Sequence, residues 1–474
     1  MFACRRRLCY NSNRSMKKGG SNVKRNNDKR KREADPPRVI ALSFLGMIAA
    51  GTLLFLLPCM TRDGKGLAPM EALFTATSSV CVTGLTLIDP VLKLTIWGQM
   101  LLLCLIELGG LSMVTFATFF VFLFKKRSGL RSLRLAQEYT NLDSMSQVKP
   151  LVRTIVLTTG GCQLFGALVL CLHFVPLMGL KGAWVSLFTA VSAYCNAGFD
   201  LFGTIEPFGS LQSFNGTPLV MYTVMALIVT GGLGFYVFYD LLTCRKTGSL
   251  SLHTRTVGWF VLILILYGFV HVFTLEYNNP ATLGNLPLSQ KITAALFQSI
   301  TTRTAGFASV DMNALHDLTK FGMILLMFIG AGSGSTGGGV KITTFAVLVM
   351  SIVSVLRGQK DTVIFRRRVD RTVVNKALAV SLLGILAVYL TAFVLLLDVP
   401  DAGGVRVLFE AVSAFSTCGL SCGVTASCGV AGHLALVFAM FVGRIGPVCF
   451  VVALGDREET RGEEVLPEGR IMVG

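Results

Sequence analysis

The most regularly spaced residues of this chain are four glycines, Gly84, Gly198, Gly306 and Gly419, separated by 114, 108 and 113 positions. Each sits near the end of a matched segment. The segments read Ala-Thr-Ser-Ser-Val-Cys-Val-Thr-Gly-Leu at 76–85, Ala-Val-Ser-Ala-Tyr-Cys-Asn-Ala-Gly-Phe at 190–199, Gln-Ser-Ile-Thr-Thr-Arg-Thr-Ala-Gly-Phe at 298–307 and Ala-Val-Ser-Ala-Phe-Ser-Thr-Cys-Gly-Leu at 411–420. Similarity at a near-constant period marks a repeated structural unit. The chemistry open to such segments is that of the backbone. Glycine admits conformations that a Cβ forbids, and a ring of carbonyl oxygens can replace the hydration shell of a cation. The cores Val-Thr-Gly, Asn-Ala-Gly, Thr-Ala-Gly and Thr-Cys-Gly carry no carboxylate, and only Asp200 follows closely. Carbonyls alone suit a weakly hydrated monovalent ion better than Ca²⁺ or Mg²⁺. Glycines kept only for helix packing would have no reason to sit in four matched loops.

Other chemistries find less support. The sequence holds no HExxH motif, no paired carboxylates on one apolar run and no convincing Ser–His pair. Its 13 cysteines lack metal-binding CxxC spacing and imply no disulfide framework; most are expected to be small buried residues. The five histidines are scattered.

The elements that must position the loops are membrane spans. Hydrophobic residues make up 53% of the chain and charged ones 15%, against roughly 25% charged in soluble domains. The stretch from Val39 to Leu57 carries no charge and is long enough to cross a hydrocarbon core. Similar runs near 94–124, 151–175, 217–243, 256–275, 321–356, 377–397 and 434–454 bring the expected spans to eight. Ahead of each glycine segment lies an amphipathic stretch, around Met70–Phe74, Trp184–Phe188, Ala294–Gln298 and Val407–Glu410. At about 12 residues it is too short to cross and suits a half-helix. The pattern predicts an all-α integral membrane protein of four repeated helix–pore loop–helix units. Eight transmembrane helices and four pore half-helices would surround a pseudo-fourfold pore. Non-helical backbone at membrane depth must be buried or line a cavity, and the partly negative C-termini of half-helices aimed there favour cations.

The predicted organisation is a basic tail at 1–37, pore units at 38–127, 150–246, 254–358 and 370–455, and a C-terminal tail at 456–474. The net charge of +17 follows the same plan. Lys and Arg gather in the N-terminal tail, from Lys125 to Arg153, at Arg245-Lys246 and from Arg357 to Lys376. This bias predicts a multi-pass cell-membrane protein with both termini cytoplasmic. It reads the tail as an arm near anionic lipid, with no nucleic-acid partner. The tail is too long and lacks the cleavage site of a secretory signal.

Three features break the apolar spans. A Gly/Ser-rich run at 330–339 interrupts the second span of unit three; such a run is a poor helix and is expected to unwind and line a cavity. It is no phosphate-binding loop, because Val340 separates Gly339 from Lys341 and no strand precedes it. Arg444 lies in the last span, and Glu107 lies mid-span beside Gly109 and Gly110. Intramembrane charges are functional or paired, and pairing between units is the plain explanation for Glu107.

The four loops, the eight spans and the run from Gly330 to Lys341 strongly resemble the Trk/Ktr/HKT potassium transporter superfamily, over about 38–455. The likeness is closest to its Ktr-type membrane subunit, since no additional spans precede the first unit. The resemblance implies a potassium filter at Val82, Thr83, Gly84, Asn196, Ala197, Gly198, Thr304, Ala305, Gly306, Thr417, Cys418 and Gly419. Serine at the first filter position accompanies sodium preference in the plant branch, so Gly84 implies potassium, with sodium the other candidate ion and no organic cofactor. Cys418, beside its filter glycine, and Cys81, just before the first filter, depart from the pattern; backbone carbonyls would still face the ion, so conduction is expected to survive. The resemblance further implies an intramembrane gating loop at Gly332, Gly334, Gly337, Gly338, Gly339 and Lys341. Arg444 resembles the family's pore-facing arginine, which would limit cation passage or tether the loop through its carbonyls. A homodimer and a cytoplasmic ring of nucleotide-binding regulatory (RCK/KTN-type) subunits are implied as partners. The alternative is a Na⁺- or H⁺-coupled secondary transporter, which also uses broken helices but usually shows two repeats and acidic coupling residues.

Overall fold

The computed structural model describes residues 36–111 and 148–454. The basic tail before Pro36, the end of the first unit beyond Leu111, the basic stretch 125–147 and the tail at 456–474 lie outside the described residues. Unit one contains α1 (Pro36–Phe55), α2 (Pro69–Cys81) and α3 (Ile96–Leu111). Unit two contains α4 (Val148–Met178), α5 (Leu180–Cys195), α6 (Pro218–Leu233) and α7 (Phe235–Thr247). Unit three contains α8 (Leu252–Glu276), α9 (Leu288–Thr301), α10 (Asp317–Phe328) and α11 (Ile342–Leu356). Unit four contains α12 (Arg371–Asp398), α13 (Gly404–Ser416), α14 (Val430–Ile445) and α15 (Pro447–Leu454). A two-residue hairpin, Val363–Ile364 against Arg367–Arg368, joins units three and four.

Local sequence explains where the elements start. Pro69 opens α2, and the Glu71 carboxylate returns to accept from the Ala68 N–H at 3.2 Å. Ser251 Oγ caps α8 by accepting from the Thr254 N–H, and Asp370 caps α12 by accepting from the Thr372 N–H. Such caps satisfy orphan donors of the first turn.

Among the described helices, α1, α4, α8 and α12 are long and apolar enough to cross a membrane unbroken. They stand on the outside, with about a third or less of each apolar window buried. Leu42, Phe165, Leu172, Leu262 and Leu382 are exposed on them, a surface that fits lipid rather than water. The half-helices α2, α5, α9 and α13 lie inside, and their last two turns are almost wholly buried.

Three of the second spans are discontinuous, the one in unit three at the Gly/Ser-rich run and two others by bends. The runs at 217–243 and 434–454 each bend, by 87° between α6 and α7 and by 97° between α14 and α15. The hinges are Gly234 and Gly446, at φ 101° and 95°, values that residues bearing a Cβ rarely adopt. Pro447 removes a helical donor after the second hinge. At the first, the Phe235 N–H donates to Gly334 O at 2.8 Å instead of continuing the helix. The run at 321–356 is split by the 13 residues between α10 and α11.

In three units a glycine lets the second span press on its half-helix. A Cβ at Gly109 would lie 2.1 Å from Val80 O, one at Gly231 1.8 Å from Tyr194 O and one at Gly443 1.6 Å from Phe415 O. Each carbonyl lies four residues before a loop glycine, so the contact is the same in all three. Close approach at small residues is how helices pack where lipid removes the hydrophobic drive.

Candidate functional site

The four glycine segments meet as a closed circuit. A Cβ at Gly84 would lie 2.4 Å from Ala197 O, one at Gly198 2.8 Å from Ala305 O, one at Gly306 2.6 Å from Cys418 O and one at Gly419 2.1 Å from Thr83 O. Each glycine therefore abuts the carbonyl just before the next loop's glycine, and the fourth returns to the first. The backbone repeats with the same regularity. Val82, Asn196, Thr304 and Thr417 all have left-handed φ, at 57°, 58°, 67° and 52°. For β-branched Val82, Thr304 and Thr417 this is a real steric penalty, held in place by the surrounding structure. The structure thus gathers Val82 to Gly84, Asn196 to Gly198, Thr304 to Gly306 and Thr417 to Gly419 around one point.

Helix ends explain the conformation. Val82 N–H donates to Ser79 O and Thr83 N–H to Ser78 O; the same pair of bonds recurs at Asn196 and Ala197 and at Thr417 and Cys418. These left-handed caps satisfy the last carbonyls of α2, α5 and α13. Helix α9 ends earlier, with Thr302 in right-handed geometry, and reaches the left-handed position only at Thr304.

A layer of side chains behind the loops holds their backbone and is not apparent from the sequence pattern alone. Ser78 Oγ and Ser413 Oγ accept from the N–H groups of Gly84 and Gly419 at 3.1 Å. Ser192 Oγ and Thr301 Oγ1 donate at 2.6 Å to the carbonyls of Phe199 and Phe307. A serine at the third place in three of the four aligned segments was the available signal. Glu410 is fully buried; its carboxylate accepts from Ser421 Oγ at 2.7 Å, the N–H groups of Cys422 and Thr425 at 3.0 and 3.1 Å, and the Thr425 hydroxyl. Gln298 serves the third loop in the same way. With its amide oxygen turned toward the loop, it accepts from Ser309 N–H at 2.9 Å and Val310 N–H at 3.2 Å. Arg303, 4% exposed, donates from Nη2 to Leu326 O at 3.1 Å, while its Nε and Nη1 have no partner among the described residues. Its own carbonyl accepts from Asn196 Nδ2.

On one side of the ring lies a cavity of about 340 Å³, reached by Gly84, Gly198, Gly306 and Gly419 and by the acidic residues Asp200 and Asp311. On the other side lies the segment between α10 and α11. Its ends are tied by Gly330 N–H to Val340 O at 2.8 Å and Ile342 N–H to Ala331 O at 3.1 Å. Its middle is pressed against the ring: a Cβ at Gly337 would lie 2.1 Å from Thr304 Oγ1 and one at Gly338 2.3 Å from Thr417 Oγ1. Gly332 and Gly334 face the hinge of unit two, through Gly332 N–H to Gly232 O at 2.9 Å and the bond from Phe235 to Gly334. Gly339, at φ 68°, turns the chain beside Ser416.

Two cations hold this segment. Lys341 Nζ donates to Gly337 O at 2.5 Å and Gly338 O at 3.5 Å. Arg444 Nη1 donates to Thr336 O, and Nη2 donates to Gly109 O at 2.5 Å and Gly110 O at 3.4 Å. Arg444 therefore joins three of the four units at one residue. Thr336 adds a hydroxyl bond of 3.2 Å to Tyr194 O, the carbonyl that Gly231 also touches. Glu107 does reach a neighbouring unit, but its partners are neutral: Gln163 Nε2 at 2.8 Å and Cys195 Sγ at 3.3 Å. Of the described cysteines, Cys81, Cys195, Cys418, Cys422 and Cys428 are buried, while Cys59 and Cys104 are exposed.

Comparison with known proteins gives one family. The model of TrkH, a cation transport protein family, matches residues 22–457. The chain is 40% identical to the Ktr system potassium uptake protein B of Bacillus subtilis over 93% of its own length and 97% of that protein. It is 38% identical to the protein of the same name in Vibrio alginolyticus, covering 94% and 96% of the two chains. It is 33% identical to the potassium/sodium uptake protein NtpJ of Enterococcus hirae, covering 94% and 98%. The fold is similar to that of the potassium transporter TrkH from Vibrio parahaemolyticus, with TM-score 0.68 and 16% identity over 91% of this chain and 86% of that one.

Proposed function

The chain belongs to the TrkH family of cation transport proteins, and from that premise we propose how it works. It is a potassium-uptake membrane protein of the Ktr/Trk type. Potassium crosses through the ring formed by Val82 to Gly84, Asn196 to Gly198, Thr304 to Gly306 and Thr417 to Gly419. The observation that carries this reading is the circuit in which each loop glycine abuts the carbonyl before the next one. Carbonyls packed so closely can strip a potassium ion of water without a carboxylate. The half-helix C-termini around them supply a partly negative field.

The segment at 330–339 acts as the gate, anchored by Lys341 and Arg444. The bonds from Arg444 to Thr336, Gly109 and Gly110 support a closed position, since they tie the segment to unit four beside it and to unit one across the ring. The four units at 38–127, 150–246, 254–358 and 370–455 form a pseudo-fourfold arrangement, and the chain lies in the cell membrane with both termini cytoplasmic. As the membrane subunit of its system it works with a separate regulatory subunit, in the form of a nucleotide-binding ring, and pairs as a homodimer.

The test is ⁸⁶Rb⁺ uptake into liposomes carrying the purified chain, with external K⁺ or Na⁺ as competitor. Block by K⁺ and not by Na⁺ is the expected result; the name of the Enterococcus hirae relative makes sodium the competitor that matters. Equal block by both ions, or uptake that depends on a Na⁺ gradient, would move the coupled-transporter reading ahead.

A further inference from the structure

The hairpin between α11 and α12 is built against local preference. It turns on Phe365 and Arg366, both left-handed at φ 47° and 62°. A two-residue turn of that kind is usually Asn-Gly, because a Cβ is strained there. Strain kept at an exposed tip points to a use for the side chains that cause it. The root of the hairpin is fixed: Ile364 is buried, and the Val363 N–H donates to Ser354 Oγ, in the last turn of α11, at 3.2 Å. The tip stands clear, with Phe365, Arg366, Arg367 and Arg368 all exposed. The 14 residues between α11 and α12 carry five cations against two carboxylates. Asp361 pairs with Arg368 at 3.3 Å and reaches Arg371 at 3.9 Å, while Asp370 caps α12. Both carboxylates are thereby engaged, and neither pairs with Arg366 or Arg367 among the described residues.

We propose that the tip Phe365-Arg366-Arg367-Arg368 binds the phosphate of an anionic phospholipid and so fastens the end of α11 to the membrane surface. The site stands apart from the filter and needs only that the chain spans a membrane. Position decides for lipid over a cytoplasmic protein. Val355 and Leu356, just before the segment, and Val373 and Leu378, just after it, are exposed. Apolar surface of that extent fits acyl chains, which puts the hairpin between them at the level of the headgroups. The side chains suit that layer. An aromatic ring settles at the membrane–water interface, and guanidinium groups bind phosphate through paired N–H donors. A hollow of about 380 Å³ beside Arg368, Asp370 and Arg371 leaves room for a headgroup. Helix α11 follows the run at 330–339, so a lipid held here steadies the helix behind the proposed gate.

The test is displacement of fluorescent phosphatidylglycerol from the full-length purified protein in detergent. The competitors are dioleoylphosphatidylglycerol, dioleoylphosphatidylcholine and glycerol phosphate. Three double variants are compared with the parent: Arg366→Gln with Arg367→Gln, Phe365→Asn with Arg366→Gly, and Arg245→Gln with Lys246→Gln as a control that removes the same charge from another basic run. The Asn-Gly variant relaxes the turn, so it should melt no lower than the parent; a merely structural tip would be improved by it. If the site exists, phosphatidylglycerol alone displaces the probe, both tip variants bind it about tenfold more weakly, and the control stays within about twofold of the parent. An equal loss in the control would mean diffuse attraction to charge and overturn the site. Displacement by glycerol phosphate as effective as by the lipid would make the ligand a soluble phosphate and overturn the membrane anchor. Parental affinity in both tip variants would remove lipid from the hairpin and leave its arginines to a protein partner.

Discussion

Arg444 shows how much one side chain can decide. In the first two units the equivalent of this residue is the second glycine of a pair, Gly110 and Gly232; in the fourth it is an arginine that follows Gly443. Its guanidinium spans Thr336, Gly109 and Gly110. Hydrogen bonds to charged groups contribute about 1.5–3 kcal/mol each, and each 1.4 kcal/mol is about tenfold in a rate. Arg444→Ala should therefore raise basal ⁸⁶Rb⁺ flux by roughly tenfold or more. A variant as quiet as the parent would remove the arginine from the gate. Glu410 makes a second prediction. Replacing it by alanine leaves two N–H groups and two hydroxyls of the fourth loop without their acceptor. Each unsatisfied group costs about 1–3 kcal/mol, so Glu410→Ala should lower the melting temperature sharply, and Glu410→Gln should recover part of the loss. The arginine and the glycines were legible because each is the wrong residue for an apolar span. Glu410 and Arg303 were not, because what they bond is backbone brought near only by the fold.

At the scale of elements, the half-helices and loops were readable because their requirements are local: a short amphipathic run, a cap, a glycine. The bends at Gly234 and Gly446 were not. In sequence each looks like an apolar run with tolerated glycines, three in 217–243 and two in 434–454, and the partner that turns the first, Gly334 O, lies 100 positions away. The glycines beside the half-helices offer a direct check. A Cβ at Gly443 meets Phe415 O at 1.6 Å, whereas Gly160 and Gly161 on α4 have nothing within 4 Å. Gly443→Ala should destabilise the protein by about 1–3 kcal/mol through overpacking. Gly160→Ala should be neutral or stabilising by about 0.5–1 kcal/mol, as expected where helix propensity alone acts. Equal melting temperatures for the two would mean that α14 does not press on α13 as closely as described.

At the scale of the whole molecule, the four proposed units carry unequal parts. Unit three breaks its second span and gives up the glycine contact that the others keep; unit four supplies the arginine that holds the break. The proposed orientation puts the loop after α1 outside the cell. Cys59, exposed in that loop, should react with a membrane-impermeant maleimide on intact cells, and Cys59→Ser should remove most of that labelling; labelling that needs permeabilised cells would reverse the topology. The recurrence of the four glycine segments was visible in the sequence because it lies in a local pattern of residues; the asymmetry was hidden because it resides in hydrogen bonds between distant segments. The central claim is that the four glycines act as one filter, and the most direct measurement replaces each in turn by serine and asks how strongly Na⁺ competes with ⁸⁶Rb⁺ uptake. The account predicts that Gly84→Ser, Gly198→Ser, Gly306→Ser and Gly419→Ser each let Na⁺ compete, because every glycine touches the next loop's carbonyl. If the exclusion of Na⁺ survives at any of the four positions in a folded protein, the ring is not the filter.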